Sequence, residues 1–189
     1  MKMNIKAIFA GMLMALSVTS CCGDANSNKQ INDTMEQMNW RQQLQDKLPL
    51  LGHRNWIVIT DMAYPLQTQP GILTLYAPEE YEQVVAEVDD MIKNVPHVFA
   101  HVYQDSERKA MSEALCPGWD KHMEAMGHVF AAGDVKYVPH EELIRRLDSV
   151  SKLFQVVIIK TNLTKPYTST FFELDCKYWD AEREQAIRR

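Results

Sequence analysis

The sequence predicts an α/β domain of three layers, in which a mostly parallel sheet is flanked by helices. The first observation is that strand-length apolar runs alternate with helix-length amphipathic segments along most of the chain. The second is the run from Trp56 to Thr60, whose apolar and β-branched residues are typical of a strand buried on both faces. The third is a strand–helix–strand pattern over residues 135–159, which favours parallel pairing.

The first half of the domain is predicted to contain a helix, two strands and a second helix. Asp33 or Thr34 is a candidate cap for the first helix, which has apolar residues on one face and ends at Pro49. Proline at position 78 and the two acids after it favour the start of the second helix, because acids stabilise the positive end of the helix dipole. The two predicted strands cover residues 56–60 and 71–76.

The second half of the domain is predicted to contain four strands and three further helices. The last 11 residues, 179–189, are charged, which is typical of an exposed tail or short surface helix. The predicted strands are residues 97–103, 135–138, 154–159 and 170–174. The predicted helices are residues 107–115, which Asp105 or Ser106 caps, 119–126 and 139–153.

Residues 1–20 have the pattern of a secretory signal peptide. Two lysines precede an apolar segment that is too short for an ordinary transmembrane span, and small residues follow it. The run from Val18 to Cys21 resembles a bacterial lipobox, in which the cysteine is lipidated and becomes the mature N-terminus. We therefore expect a lipid anchor on Cys21, a flexible tether over residues 21–34, a domain over residues 35–189, and a location in the bacterial cell envelope. A plain signal peptide with a coincidental cysteine is the alternative.

The composition and the absence of known motifs disfavour several classes of ligand and reaction for this protein. The net charge of −5 falls to −7 once Lys2 and Lys6 leave with the signal peptide, and an acidic chain disfavours nucleic acid as a partner. The six histidines show no metal-binding spacing, so no metal site is predicted. Neither a Gly-rich phosphate loop nor a Gly-x-Ser-x-Gly motif is present. Cys116 and Cys176 leave open a disulfide or two free thiols.

Two ionisable residues stand at positions typical of a site. Asp61 follows the buried strand, and ligands of open α/β sheets bind at the carboxyl ends of strands. The alternative for Asp61 is a turn former ahead of Pro65. His140 begins a predicted helix, where the dipole disfavours a positive imidazole and so favours a neutral ring that can relay a proton. The alternative for His140 is an ordinary surface histidine.

Four segments resemble, in order, segments of the ribose pyranase and fucose mutarotase family, RbsD/FucU. Leu-Gly-His at 51–53 leads into a strand and Asp61-x-x-x-Pro65, like the opening of the family. Residues 138–143 are similar to its Thr-Thr-His-Glu-Gln-Phe segment, and residues 165–169 to its Ser-Pro-Tyr-Ala-Asn loop. The apolar strand ending at Lys160 lies between them, and the resemblance spans residues 40–176.

The resemblance implies an RbsD-like fold and the interconversion of monosaccharide ring forms or anomers without a cofactor. It implies that His53 is the proton donor and that His53, Asp61 and His140 form the catalytic set. Ring opening requires an acid at the ring oxygen and a base at the anomeric hydroxyl, which these residue types supply. The implied sugar-binding residues are Asp61, His140, Tyr167, Thr168 and Ser169.

The spacing of His53 and Asp61 bears on how a site would be assembled. Eight residues of extended chain span at most about 26 Å, so the two residues are expected at opposite ends of one strand. Either the segment before the strand folds back, or His53 of one subunit completes the site of another. The family forms ring-like oligomers with sites at subunit contacts, which favours the second arrangement and a homo-oligomer.

Three functions remain at this point. The first is a sugar mutarotase or pyranase, an isomerase of the envelope. The second is a non-catalytic carbohydrate-binding envelope lipoprotein, favoured by Ser169 in place of the asparagine of the family and by export, since the family members are cytoplasmic. The third is a structural envelope lipoprotein that shares only the fold. The four retained residues, His53, Asp61, His140 and Tyr167, favour the first two.

Overall fold

A six-stranded mixed sheet forms the centre of the domain in the computed structural model, which describes residues 39–131 and 133–188. The strands are β1 Trp56–Thr60, β2 Ile72–Tyr76, β3 Val98–Asp105, β4 Val135–Val138, β5 Val156–Lys160 and β6 Thr170–Cys176. Their order across the sheet is β2-β5-β1-β6-β3-β4. Only β6 runs antiparallel to its neighbours, so the other five strands share one direction and end at the same edge. The predicted mostly parallel α/β fold is confirmed.

Helices cover both faces of the sheet. The helices of the described residues are α1 Trp40–Lys47, α2 Tyr81–Asn94, α3 Trp119–Gly127, α4 His140–Val150 and α5 Ala181–Ile187. The buried residues of α1 and α2, together with Met126 of α3, belong to one core cluster, and those of α4 belong to the other. Helix α5 buries no residue, as expected for a charged tail. The domain therefore has three layers.

Strand β1 lies at the centre of both cores. All five of its residues are buried, which confirms the prediction from its apolar run. Because successive side chains of a strand point to opposite faces, Ile57 and Ile59 join the α1–α3 core while Trp56 and Val58 join the α4 core. Parallel β5 and antiparallel β6 pair with its two edges. Asp61 is thereby held at the edge where the parallel strands end.

The sequence-based boundaries differ from the structure around β3. Strand β3 runs to Asp105 because its last residues pair with β6 and β4. Asp105 directly precedes the 3₁₀ turn, but its side chain makes no capping hydrogen bond, so the predicted cap by this side chain is wrong. The predicted helix over 107–115 is also wrong, since only a 3₁₀ turn, Ser106–Ala110, forms there. Glu113 instead accepts the backbone N–H groups of Gly118 (2.6 Å) and Asp120 (3.1 Å) at the start of α3.

The N-terminal predictions lie largely outside the described residues. Residues 1–38 contain the predicted signal peptide, Cys21, the tether and the candidate caps Asp33 and Thr34, which all stay predictions. Helix α1 begins at Trp40, and the side chain of Asn39 caps it by accepting the Gln42 N–H at 3.0 Å. In the part of the chain that is described, no helix is long and apolar enough to cross a bilayer. Cys116 and Cys176 are free thiols.

Candidate functional site

A cavity of about 770 Å³ opens at the edge of the sheet where the parallel strands end. Its wall is built from three parts of the chain: the turn after β1, the start of α4, and the loop between β5 and β6. Asp61, His140 and Tyr167 each come from a different one of these parts. The structure thus brings three of the sequence-predicted site residues together. The other lining residues are Met62, Ala63, Tyr64, Pro65, Gln67, Glu141, Ile144, Thr164, Lys165 and Pro166.

Asp61 both forms a turn and lines the cavity. Its Oδ1 accepts the Ala63 N–H at 2.7 Å, which is the turn-forming role that the sequence left as an alternative. The residues of this turn, from Asp61 to Pro65, all line the cavity. The two interpretations of Asp61 are therefore compatible.

His140 is held at both its ring and its backbone. Its Nδ1 lies 3.1 Å from Oδ1 of Asp105, and its backbone N–H donates to both carboxylate oxygens of Glu107, each at 3.1 Å. The imidazole ring meets the Tyr167 ring edge-on, with ring centroids 5.7 Å apart and an angle of 88° between the planes. The side chain is 30 % exposed, so a ligand in the cavity can reach it.

Asp105 is a candidate functional residue that the sequence analysis missed. Its side chain is fully buried, and burial raises the pKa of the carboxyl to about 6, although the positive charge and hydrogen bond of His140 oppose the rise. Its second oxygen, Oδ2, has no hydrogen-bond partner among the described residues. The sequence feature that could have identified it is the same as for Asp61, an aspartate at the carboxyl end of a strand. It was missed because the strand predicted from the sequence ended at Tyr103, two residues too early.

Tyr64 was also missed, because its sequence neighbourhood predicted only a turn. The side chain is buried in the cavity wall, and burial together with the charges of Asp148 and Asp105 raises the pKa of the phenol to about 12. Lys160 Nζ donates to the backbone carbonyl oxygen of Tyr64 at 2.5 Å, which joins the end of β5 to this turn. The neutral phenol remains a hydrogen-bonding group across the physiological pH range.

Backbone strain occurs next to the predicted site residues. Among the described residues, the non-glycine residues with positive φ are Tyr167 (55°) and Arg54 (72°), which follows His53. A non-glycine residue in this region costs about 1–3 kcal/mol and persists only where the surroundings hold it. The Tyr81 hydroxyl supports the Tyr167 loop by donating to the Thr168 carbonyl oxygen at 2.5 Å.

Thr168 and Ser169 lie behind the cavity wall. Both are buried and neither lines the cavity, and the Thr168 hydroxyl donates to the Lys165 carbonyl oxygen at 2.9 Å. The structure therefore does not place these two predicted sugar-binding residues with Asp61 and His140. Tyr167 is the residue of this loop that borders the cavity, with 39 % of its surface exposed.

His53 lies at the other end of β1, in a separate cavity of about 230 Å³. Its Nδ1 is 2.6 Å from Oδ1 of Asp175, and Arg54 Nε donates to its Nε2 at 3.0 Å. The other Asp175 oxygen is 3.4 Å from His101 Nε2. Partial burial opposes ionisation of Asp175, but hydrogen bonds from the Cys176 N–H and the two histidines hold the pKa of its carboxyl below the usual range.

The separation of His53 from Asp61 follows the expectation from chain length. A single chain does not unite His53 with Asp61 and His140, because the paired strand β1 lies between His53 and Asp61 and the histidine lines a different cavity. The alternative in which the segment before β1 folds back onto the Asp61 side is wrong. No group of three or more His, Cys, Asp or Glu side chains suited to a metal ion occurs within residues 39–131 and 133–188.

The chain is similar in structure to proteins of the RbsD/FucU type. RbsD from Bacillus subtilis, solved with D-ribose, has a TM-score of 0.50 and 20% identity, and the match covers 70% of this chain and 91% of that one. The fucose mutarotase from Streptococcus pneumoniae, solved with L-fucose, has a TM-score of 0.45 and 16% identity over 70% and 91% of the two chains. FucU from Bifidobacterium longum has a TM-score of 0.44 and 10% identity over 71% and 94%.

These comparisons bear on the fold. The similarity to RbsD confirms the predicted RbsD-like α/β architecture. No family model matches the sequence, and no curated protein matches it.

Proposed function

We propose that the cavity beside Asp61 binds a monosaccharide and interconverts its ring forms or anomers without a cofactor. The observation that carries the proposal is that Asp61, His140 and Tyr167, which are distant in sequence, line one cavity. Its volume of about 770 Å³ lies within the range of about 300–1,000 Å³ that is typical of small-molecule sites. The structural neighbours solved with ribose and fucose support a sugar as the ligand.

The residue types suit this chemistry. A base removes the proton of the anomeric hydroxyl while an acid protonates the ring oxygen, so that the ring C–O bond breaks and a carbonyl forms. The reverse steps close the ring on either face, with no atom gained or lost. Asp61 and His140 supply proton acceptors at the cavity, and each positioned acid or base contributes about 10²–10⁴-fold to the rate. The exposed ring of Tyr167 offers a stacking surface for the apolar face of a sugar.

In this proposal the proton donor is His53 of a second copy of the chain. His53 is 55 % exposed, and its position at the far end of β1 leaves it unable to serve the Asp61 cavity of its own chain. Association of two or more copies completes each site. Sedimentation of the protein therefore has to give an oligomeric mass, and a monomer that is active would refute the shared site.

Exchange NMR with a panel of monosaccharides tests the activity. The protein is expected to accelerate exchange between the anomers, or between pyranose and furanose forms, of at least one sugar. Asp61→Asn, His140→Gln and His53→Ala are each expected to reduce the exchange rate by about 10²-fold or more. His128→Gln is the matched control, because His128 is an exposed histidine outside both cavities.

Mixing two inactive variants tests whether one active site uses residues from two copies of the chain. A mixture of His53→Ala and His140→Gln subunits is expected to regain part of the activity, since mixed oligomers contain some sites with both histidines intact. Variants that remain inactive after subunit exchange would instead show that both residues act within one chain. Loss of activity in the His128→Gln control would mean that the variants act through folding.

A second candidate is carbohydrate binding without catalysis. The observation that favours it is the composition of the cavity in one chain, where the donor His53 is absent and the side chains of Thr168 and Ser169 are buried behind the wall. A monomeric protein would then hold a sugar without opening its ring. Saturation transfer from protein to sugar without faster exchange would favour this candidate over the enzyme.

The location in the bacterial cell envelope is a separate part of the proposal. It is supported by the apolar N-terminal segment and by the small residues that precede Cys21. Lipid attachment at Cys21 predicts incorporation of labelled palmitate into the protein and its recovery in the membrane fraction. Cys21→Ser is expected to abolish both. Palmitate labelling that survives this substitution would refute the assignment of Cys21.

A further inference from the structure

A buried carboxylate, Asp105, lies directly behind the cavity and contacts His140, one of the residues that line it. It is the last residue of β3, and its register partner on β4 is Val138, two residues before His140. Strand pairing therefore places Asp105 beside the start of α4. The resulting contact joins Asp105 Oδ1 to His140 Nδ1 over 3.1 Å, and Asp105 itself does not line the cavity.

Capping of α4 does not account for this aspartate. Glu107 already accepts the backbone N–H of His140 with both carboxylate oxygens at 3.1 Å, which is the role that a helix start requires. Asp105 contacts the ring of His140. The short segment from Asp105 to Glu107 thus holds His140 at two points, the backbone through Glu107 and the imidazole through Asp105.

The environment of this carboxylate destabilises the folded state, and packing alone does not explain an ionisable group at this position. A buried polar atom without a hydrogen-bond partner destabilises the folded state, and Asp105 Oδ2 is such an atom. Burial raises the pKa of Asp105 to about 6. The titratable and charged groups that interact with it are His140 of α4, Glu107 and Arg108 of the 3₁₀ turn, Tyr64 of the turn after β1, and Tyr81 of α2.

We propose that Asp105 is a positioning residue that fixes the orientation and tautomer of the His140 ring. The Nδ1–H donates to Asp105, which leaves Nε2 as the ring nitrogen that accepts a hydrogen bond or a proton from a ligand in the cavity. A carboxylate behind an imidazole selects one tautomer in this way and raises the basicity of the opposite nitrogen. The inference rests on the proposed function, since it assigns Nε2 of His140 the acceptor role at the sugar.

The tautomer of His140 is measured on the whole protein without any sugar. Two-bond ¹H–¹⁵N correlation spectra of ¹⁵N-histidine-labelled protein distinguish protonated from unprotonated ring nitrogens, and His140→Gln assigns the signal. When the His140 ring is neutral, we expect Nδ1 protonated and Nε2 unprotonated in the wild-type protein. A neutral ring protonated at Nε2 overturns the proposal, and this measurement does not depend on whether any Asp105 variant folds.

Asp105→Asn and Glu107→Gln form a matched pair. Asp105→Asn replaces the carboxylate acceptor at the ring with an amide, so we expect a mixture of the two neutral tautomers. Glu107→Gln alters only the backbone contact and is expected to keep Nδ1 protonated. An unchanged tautomer in Asp105→Asn, or the same change in Glu107→Gln, contradicts the proposal.

Sugar exchange separates this inference from the proposed function. In Asp105→Asn, kcat is expected to fall at least about 10-fold with KM changed less than about 2-fold, because the ring is misoriented while the cavity is intact. An Asp105→Asn protein with unchanged kcat overturns the positioning role. A wild-type protein that is inactive toward every sugar but has the expected tautomer refutes the proposed function and leaves the assignment of the ring orientation standing.

Discussion

The buried carboxyl of Asp105 makes the free energy of unfolding depend on pH. Burial raises its pKa in the folded protein to about 6 from an ordinary value of 3.8. Because the folded state disfavours the ionised form, the stabilising contribution of Asp105 is complete below pH 3.8 and is lost as the pH rises to about 6. At about 1.4 kcal/mol for each pKa unit, the full difference is about 3 kcal/mol.

Asp105→Asn removes this ionisation while nearly preserving the shape of the side chain. The difference in free energy of unfolding between variant and wild type is expected to shift in favour of the variant by about 2.5 kcal/mol between pH 4 and pH 7. Urea unfolding followed by tryptophan fluorescence at several pH values measures it, and unchanged m-values show that both proteins unfold alike. The direction of the shift is the decisive quantity, because the substitution also changes the contact between residue 105 and His140.

Asp46→Asn controls for the loss of one negative charge. Asp46 is exposed on α1 and accepts a hydrogen bond from Gln42 Nε2 at 2.9 Å, so its substitution is expected to change the free energy of unfolding by less than about 0.5 kcal/mol. If the Asp105→Asn difference stays flat from pH 4 to pH 7, or moves in favour of the wild type, burial does not raise the pKa of Asp105 and the reasoning fails.

Three further substitutions test the packing that supports the site, each by urea unfolding. A Cβ at Gly71 would lie 2.2 Å from the Ser151 carbonyl oxygen, so Gly71→Ala is expected to lower the free energy of unfolding by about 1–3 kcal/mol. Gly52→Ala is the control, because a Cβ there meets nothing within 4 Å. Equal losses in the two variants would contradict the close approach at Gly71. Phe172→Ala empties a fully buried position and is expected to cost about 3–5 kcal/mol, and a cost below 1 kcal/mol would mean that the core refills. Tyr81→Phe removes the hydrogen bond to Thr168 and is expected to cost about 1–2 kcal/mol; a neutral effect would show that the Tyr167 loop is held by other contacts.

The secondary structure was predictable because it depends mainly on local periodicity. The β-branched run of β1 and the helical spacing of α2 and α4 each indicated their element correctly. The error at residues 107–115 arose where a local helical pattern competed with tertiary contacts: Arg108 is buried and Glu113 caps α3. Propensity is a weak determinant where such long-range contacts decide the conformation.

The candidate site was predictable only in part. Asp61 and His140 were accessible to sequence reasoning because a strand end and a helix start are local features. The family resemblance implied that Thr168 and Ser169 bind the sugar as well, but both are buried and neither lines the cavity. Sequence position does not reveal which side of a loop faces a cavity, since that depends on the packing of β6 and α2 beneath it.

The sequence by itself therefore determined the class of fold and the two ends of β1, with Asp61 at one and His53 at the other. Only the tertiary structure decided which polar groups meet. It joined Asp105 to His140 through the pairing of β3 with β4, and it enclosed Tyr64 in the cavity wall. The physical reason is that apolar periodicity depends on residues close together in the sequence. The contacts of the buried Asp105 carboxylate depend instead on strand register, which residues 30 or more positions away determine.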